Sequence, residues 1–346
     1  MPENTDLEKL VDGILLAQGN SFIKELLRKI KVKIGATKTD FLNNLNKAID
    51  DGILTESILN EWLNEVEGWG NQHIYVYRVD NDVAEDRRWH DIESVRTRAV
   101  EAGLGDKWNV SPSQVFPAER KLVGIYCDET SFRLVWFEGR TSLLRDKDKD
   151  KLNKKIGFDI FDLHAFRHVA KRTVTRFDWP RGSRYAAILM QTPWNKKDHR
   201  SIKNEVIDKV SKFIDPKYLK PVNIGEAVRQ LDQETVTPTD SGAGFVSEGA
   251  RLESSGAYVD FGSTTEREYS SVAAVREVRF AVPIDQFKGE RGIFVVRDND
   301  NFTISRKDLI RFDLRGDLGW VKIRHMCSRT DIWNIVNRIA EMASNV

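Results

Sequence analysis

The apolar positions of the first seventy residues recur with a helical period. Leu7, Leu10, Val11, Ile14 and Leu15 follow the i, i+3, i+4, i+7 spacing of one buried face. Ile23, Leu26, Leu27 and Ile30 repeat it, as do Phe41, Leu42, Leu45 and Ile49, and then Ile58, Trp62, Leu63 and Val66. The punctuation agrees with this reading. Thr37 and Asp40 resemble a capping box, Gly52 suits a helix stop, and Thr55 can cap the helix that follows. Four short helices joined by brief turns predict a compact helical domain over residues 1–70.

After "EGWGNQ" (67–72) the period changes. "HIYVYRV" (73–79), "KLVGIYCD" (121–128) and "FRLVWFEG" (132–139) are β-branched and aromatic, and predict strands. Residues 168–191 read as two strands around the turn Trp179-Pro180-Arg181-Gly182. Helical spacing returns at 199–213 through Ile202, Val206, Val210 and Phe213. The Ser-, Thr- and Gly-rich stretch 233–256 reads as a boundary or long loop. "REVRFAVPI" (276–284) and "RGIFVVRDNDNFTIS" (291–305) then predict strands, and a last helix is expected from about 329 with Ser328 and Asp331 as its cap. The fold class is therefore α+β: an N-terminal small helical bundle followed by a mixed, β-rich region. The expected domains are 1–70, 71–232, a 233–256 loop or linker, and 257–346 with its terminal helix.

Composition narrows the function classes. The hydrophobic fraction of 40% and charged fraction of 31% describe a folded globular chain. The net charge of +1 gives the whole molecule no electrostatic preference, so any basic surface must come from segregation along the chain. Cys127 and Cys327 stand far apart with no CxxC, which excludes a four-cysteine zinc site and leaves a bridge between the two open. The N-terminus has early acids and no basic region of a signal peptide, and no run reaches the roughly 18 apolar residues of a membrane span. A soluble, cytoplasmic protein is expected.

Charge is in fact segregated. Lys24 to Lys38 carries Lys24, Arg28, Lys29, Lys31, Lys33 and Lys38 against the single acid Glu25, while Asp50 to Glu67 holds acids and no base. A helix start flanked by lysines suits a phosphate. The stretch "FIKELLRKIKVKIGATKTDFLNNLNKAI" (22–49) resembles the SAP motif and its helix–extension–helix relatives. Gly35, Thr37 and Lys38 followed by Phe41-Leu42 and Leu45 match its pattern, and Leu26, Leu27 and Ile30 match its first-helix core. The resemblance implies that the first helix, the extension and the start of the second helix lie against a DNA backbone. Three differences stand out. Lys29-Ile30-Lys31 replaces the usual glycine ending the first helix, Gly35 is one residue further from the lysine, and Asn44 takes the place of a common arginine.

A second basic segment, His164 to Arg184, contains Arg167, Lys171, Arg172, Arg176, Arg181 and Arg184, interleaved with Phe166, Phe177, Trp179 and Tyr185. Arginine forks onto phosphates and aromatic rings stack on unpaired bases. As a group these residues predict a further basic surface, although any single arginine can instead pair with Asp159, Asp162 or Asp178.

Catalytic patterns are incomplete. Asp106 with Glu119-Arg120-Lys121 has the outline of a metal-dependent nuclease, but Glu119 precedes its strand. Gly124-Ile125-Tyr126 lacks a second tyrosine, Phe137 standing near its place. His164 and His168 lack a third ligand, and Asp298-Asn299-Asp300 lacks the glycine and glutamate of a calcium loop. No metal or other cofactor is expected. The leading expectation is a non-enzymatic protein that binds nucleic acid, duplex DNA first, through Arg28, Lys29, Lys31, Lys33, Gly35 and Lys38, extended by the second segment. Alternatives are a metal-dependent nuclease of a DNA-defence or DNA-maintenance system, and a scaffold that docks a protein partner through its acidic helix and the 233–256 loop.

Overall fold

A computed structural model of the chain describes residues 7, 10, 11, 13, 14, 20–35, 38–80, 83, 91–110, 117–145, 149–191, 199–236, 245–254, 257–262, 277, 281, 287–297 and 309–344. The fold is α+β and divides into two compact units. One comprises 1–63, 112–123 and 136–174; the other comprises 64–111, 124–135 and 175–346. Neither unit coincides with the contiguous domains that the sequence suggests.

The first unit holds α1 (Asn20–Lys29), α2 (Lys38–Asp50) and the first part of α3 (Glu56–Trp69). Leu10, Val11 and Ile14 are helical and buried, as are Ile23, Leu26 and Leu27 of α1 and Phe41, Leu45 and Ala48 of α2. Gly52 stops α2 with φ +70, its N–H bonding to Ile49 O at 3.0 Å and that of Ile53 to Ala48 O at 2.9 Å. Thr55 Oγ1 accepts from the Ile58 N–H of α3 at 3.4 Å. Thr37 lies outside the described residues.

The larger sheet is antiparallel. Its strands are β1 (Gly70–Val79), β2 (Lys121–Cys127), β3 (Ser131–Arg145), β6 (Phe166–Pro180), β7 (Tyr185–Gln191), β8 (Leu219–Pro221), β9 (Phe245–Ser254), β10 (Ala257–Gly262), β11 (Lys288–Arg297), β12 (Leu309–Arg315) and β13 (Trp320–Met326), and β2, β3 and β6 each have residues in both units. The order is β10-β9-β11-β12-β13-β1-β7-β6-β3-β2, with β8 also on β1. A separate two-stranded ribbon joins β4 (Lys151–Ile156) to β5 (Asp159–Leu163). The helices are α4 (Ile92–Glu101), α5 (His199–Val210), α6 (Ile224–Val236) and α7 (Arg329–Met342).

Period-2 alternation along β1 sorts its residues to two sides. Ile74 and Val76 join the core with Ile224, Val228 and Leu231 of α6 and Ile332, Val336 and Ile339 of α7. The residues between them meet α5: His73 packs edge-on to His199 with centroids 4.3 Å apart, and Lys203 lies over the Tyr75 ring. Ser328 and Asp331 form the capping box of α7 as the sequence indicates.

Two readings change. The stretch taken as a 233–256 loop contains β9, paired with β10 on one side and β11 on the other, with Phe245, Ala250 and Leu252 buried. Pairing and burial override its Ser- and Gly-rich composition. Within 276–284, taken as a strand, the described residues Glu277 and Ala281 are helical. Both cysteines are buried and free, so no bridge joins them. Among the described residues, no helix is long and apolar enough to cross a membrane.

Candidate nucleic-acid interface

Between α1 and α2 the described residues are 30–35, and α2 begins at Lys38. The end of α1 is closed by two bonds, Lys31 N to Arg28 O at 3.1 Å and Val32 N to Leu27 O at 2.9 Å. This is the Schellman arrangement, in which the residue after the cap turns left-handed and is most often glycine. Here that residue is Lys31, at φ +59. It occupies the helix end where the resemblance lacked its glycine, and the left-handed backbone costs a residue with a Cβ about 1–2 kcal/mol.

Residues 32–35 run on without regular structure to Gly35, at φ +86. A Cβ there would stand 2.5 Å from Asp40 Cβ and 3.1 Å from Phe41 N, so the extension closes directly onto the first turn of α2. Glycine at this position is required by the positive φ and by the close approach of the chain's own Asp40 and Phe41.

Arg28, Lys29, Lys31 and Lys33 are all exposed. Lys29 is 4.0 Å from Glu25, a surface pair worth little. Arg28, Lys31 and Lys33 have no ion-pair partner among the described residues. Lys24 lies over the Phe41 ring, 5.9 Å from its centroid, and so covers the small core between the helices. Cations in the last turn of a helix favour its dipole, which accounts for Arg28 and Lys29. Lys31 and Lys33 stand beyond that turn and carry the exposed charge along the extension. Lys38 begins α2, and its side chain lies outside the described ones.

The second basic segment is divided. Arg167 and Lys171 lie on β6 in the first unit, with side chains outside those described. Arg172, also in that unit, is buried, its guanidinium 4.1 Å from the Phe137 ring centroid. Arg176 is buried in the second unit, 4.9 Å from the Trp69 centroid, and donates to Asn64 O at 3.1 Å. Burial, and next the nearby Arg133, pull the Arg176 pKa down to about 10. Both arginines serve interior packing: Arg172 lies against Phe137, and Arg176 sits in the stretch of β6 from Val174 to Trp179 that is buried on both faces. That corrects the expectation that they belong to a basic surface. Arg181 and Arg184 are exposed around the turn after β6, where Arg181 Nη1 is 3.5 Å from Glu129.

The remaining candidates resolve individually. Asp106 sits in a short 3-10 turn and pairs with Lys107 at 2.5 Å, while Glu119 is an exposed bend residue before β2. Tyr126, on β2, donates to Val110 O at 2.6 Å. His164 and His168 are not on a helix: His168 is a strand residue, and His164 shares Asp150 with Arg145. Asp298–Asp300 lies outside the described residues. Among the described residues no three His, Cys, Asp or Glu side chains gather as a metal site. A cavity of about 650 Å³ opens beside the start of α6, but its acids are already engaged. Glu226 accepts from Arg229 and Gln230, Asp317 from Arg315, and Glu290 pairs with Arg251.

No family model matches this sequence, and a search of curated proteins finds none similar to it.

Proposed function

We propose that this protein binds nucleic acid, duplex DNA foremost, by laying the end of α1 and the extension to Gly35 along the phosphate backbone. The observation that carries the reading is the continuous run of exposed cations Arg28, Lys29, Lys31 and Lys33, of which three lack an ion-pair partner among the described residues. The left-handed lysine supports it, since a position that favours glycine for stability is occupied by a cation. Contacts of this kind supply affinity and register without reading sequence.

The test is a titration of the full chain against labelled duplex DNA, duplex RNA and single strands at several salt concentrations. Each phosphate contact on duplex DNA contributes roughly −0.9 to the slope of log K against log salt. Lys31→Ala with Lys33→Ala should flatten that slope by about two units and weaken unrelated sequences alike. Lys31→Gly separates the two roles of the residue. It should stabilise the fold by about 0.5–1 kcal/mol, through relief of the left-handed strain, while weakening binding. Unchanged affinity and slope in the double variant would leave the run as an ordinary helix connection.

A further inference from the structure

The ribbon β4–β5 stands apart from the larger sheet, its strands pairing only with each other among the described residues. Its turn is tight. Ile156 pairs with Asp159 across Gly157-Phe158, and Gly157 supplies the positive φ, +66, that a two-residue turn needs at its first position. The base is held by Asp150, which accepts from the Ala165 N–H at 2.8 Å and from Arg145 Nε at 3.0 Å. At the tip, Phe158 is fully exposed.

Register decides what this arm can touch. Residues paired across the strands share a face, so Lys155 and Ile160 lie on one face and Ile156 and Asp159 on the other. Each face near the tip therefore mixes charge with apolar surface, and neither suits flat packing against an apolar partner. The tip ring is what remains wholly apolar. Behind it Lys154 and Lys155, consecutive on β4 and both exposed, point to opposite faces.

That arrangement fits the major groove of duplex DNA, which is about 12 Å wide and about 8.5 Å deep and admits a two-stranded ribbon. With Phe158 on the groove floor, Lys155 and Lys154 stand about 10–13 Å back along the strand, level with the rim. Their opposite faces direct them to the two phosphate backbones that wall the groove. An apolar ring on the floor meets the thymine methyl, and Asp159 beside it can accept from a cytosine amino group. A lipid surface is a poorer match, because Asp159 would enter it next to Phe158 with no donor to meet. The ribbon also belongs to the compact unit that holds Arg28, Lys31 and Lys33.

We infer that the β4–β5 ribbon is a major-groove arm for duplex DNA, in which Phe158 contacts thymine methyl groups while Lys154 and Lys155 contact the phosphates of the two strands. The inference rests on the nucleic-acid reading and adds to its backbone contacts an element that touches bases.

The test is a binding titration of the full chain against an alternating A·T DNA duplex and the same duplex with uracil in place of thymine, which removes only the methyl groups. The wild type should bind the uracil duplex about fourfold more weakly, the effect of one buried methyl. Phe158→Ser should bind both duplexes alike, at the uracil level, and Phe158→Leu should restore the preference. Lys154→Ala with Lys155→Ala should flatten the slope of log K against log salt by about two units and keep the thymine preference. These positions are exposed, and a thermal melt of each variant checks that folding is retained. Duplex binding without a thymine preference, or with one that survives Phe158→Ser, would overturn this inference and leave the contact at α1 standing. No duplex binding at all would overturn both. Binding to phosphatidylserine vesicles that depends on Phe158, without the thymine effect, would assign the tip to a membrane and overturn the groove.

Discussion

Asp178 is a buried charge whose loss should carry a clear and measurable cost. Its carboxylate is fully buried and receives three charge-assisted or indole donors: Arg329 Nε at 3.1 Å, Arg329 Nη2 at 2.9 Å and Trp333 Nε1 at 2.9 Å. Arg329 also lies over Trp69, the ring that Arg176 contacts. Asp178→Ala strands the Trp333 N–H, and a buried donor without an acceptor costs about 1–3 kcal/mol. It also leaves the Arg329 charge without its counter-ion. Removing one partner of a fully buried pair costs about 3–5 kcal/mol, but Arg329 retains 27% exposure and can recover some water. Together these effects give a loss of about 3 kcal/mol. Asp178→Asn keeps the volume and an acceptor for Trp333, so it should cost about half as much. Urea unfolding followed by tryptophan fluorescence measures this. At a slope of roughly 3 kcal/mol per molar, the alanine variant moves the midpoint down by about 1 M. The decisive control is Arg329→Met, alone and in the double variant. The double variant should be clearly more stable than the sum of the two single losses implies, because the pair acts as a unit. A loss below about 1 kcal/mol for Asp178→Ala, or simple additivity, would refute the reasoning.

Two further outcomes follow from the geometry. Gly35→Val should destabilise the chain by about 2–3 kcal/mol, combining left-handed strain with the clash at Asp40, and should reduce duplex binding with every cation intact. Calorimetry together with the binding titration reads both. His73 has its pKa lowered to about 3, first by burial and then by the nearby His199 and Lys322. Below the ordinary value of 6.5 the unfolded chain takes up a proton that the folded chain refuses. Stability from this group is therefore complete above pH 6.5 and lost as pH falls, by about 2 kcal/mol between pH 6.5 and 5. His73→Phe should remove that part of the pH dependence in a melt series, and an unchanged slope would place the proton uptake elsewhere.

Much of the fold is legible because local signals and packing agree. Ser328 with Asp331 starts α7, and Ile332, Val336 and Ile339 give its buried face in sequence as in structure. β9 was illegible because Ser247 and Gly249 carry no strand preference; the register with β10 and β11 imposes the extended form. Arg172 and Arg176 show the limit of alternation. A period of two tells faces apart but not that both faces are covered, and only burial separates these two from the exposed Arg181 and Arg184. At the candidate interface, the glycine-and-lysine spacing identified Gly35, whereas the left-handed turn at Lys31 needed the hydrogen bonds of the helix end to show itself. The ribbon left a signal that composition hid: an Ile156-Gly157-Phe158 turn between short runs of mixed charge and apolar residues.

The way the chain threads its two units also bears on synthesis. The first unit draws on 1–63, 112–123 and 136–174, with parts of the second unit intervening. A growing chain therefore cannot finish that unit when residue 63 emerges; the unit has all its segments only once residue 174 has left the ribosome. At about 5–20 residues per second this leaves it incomplete for several seconds, longer than most elementary folding steps. A fragment cut near residue 70 lacks the later segments of the unit altogether. Anything that stalls translation before residue 174 should therefore yield a chain whose first unit is missing part of its sequence.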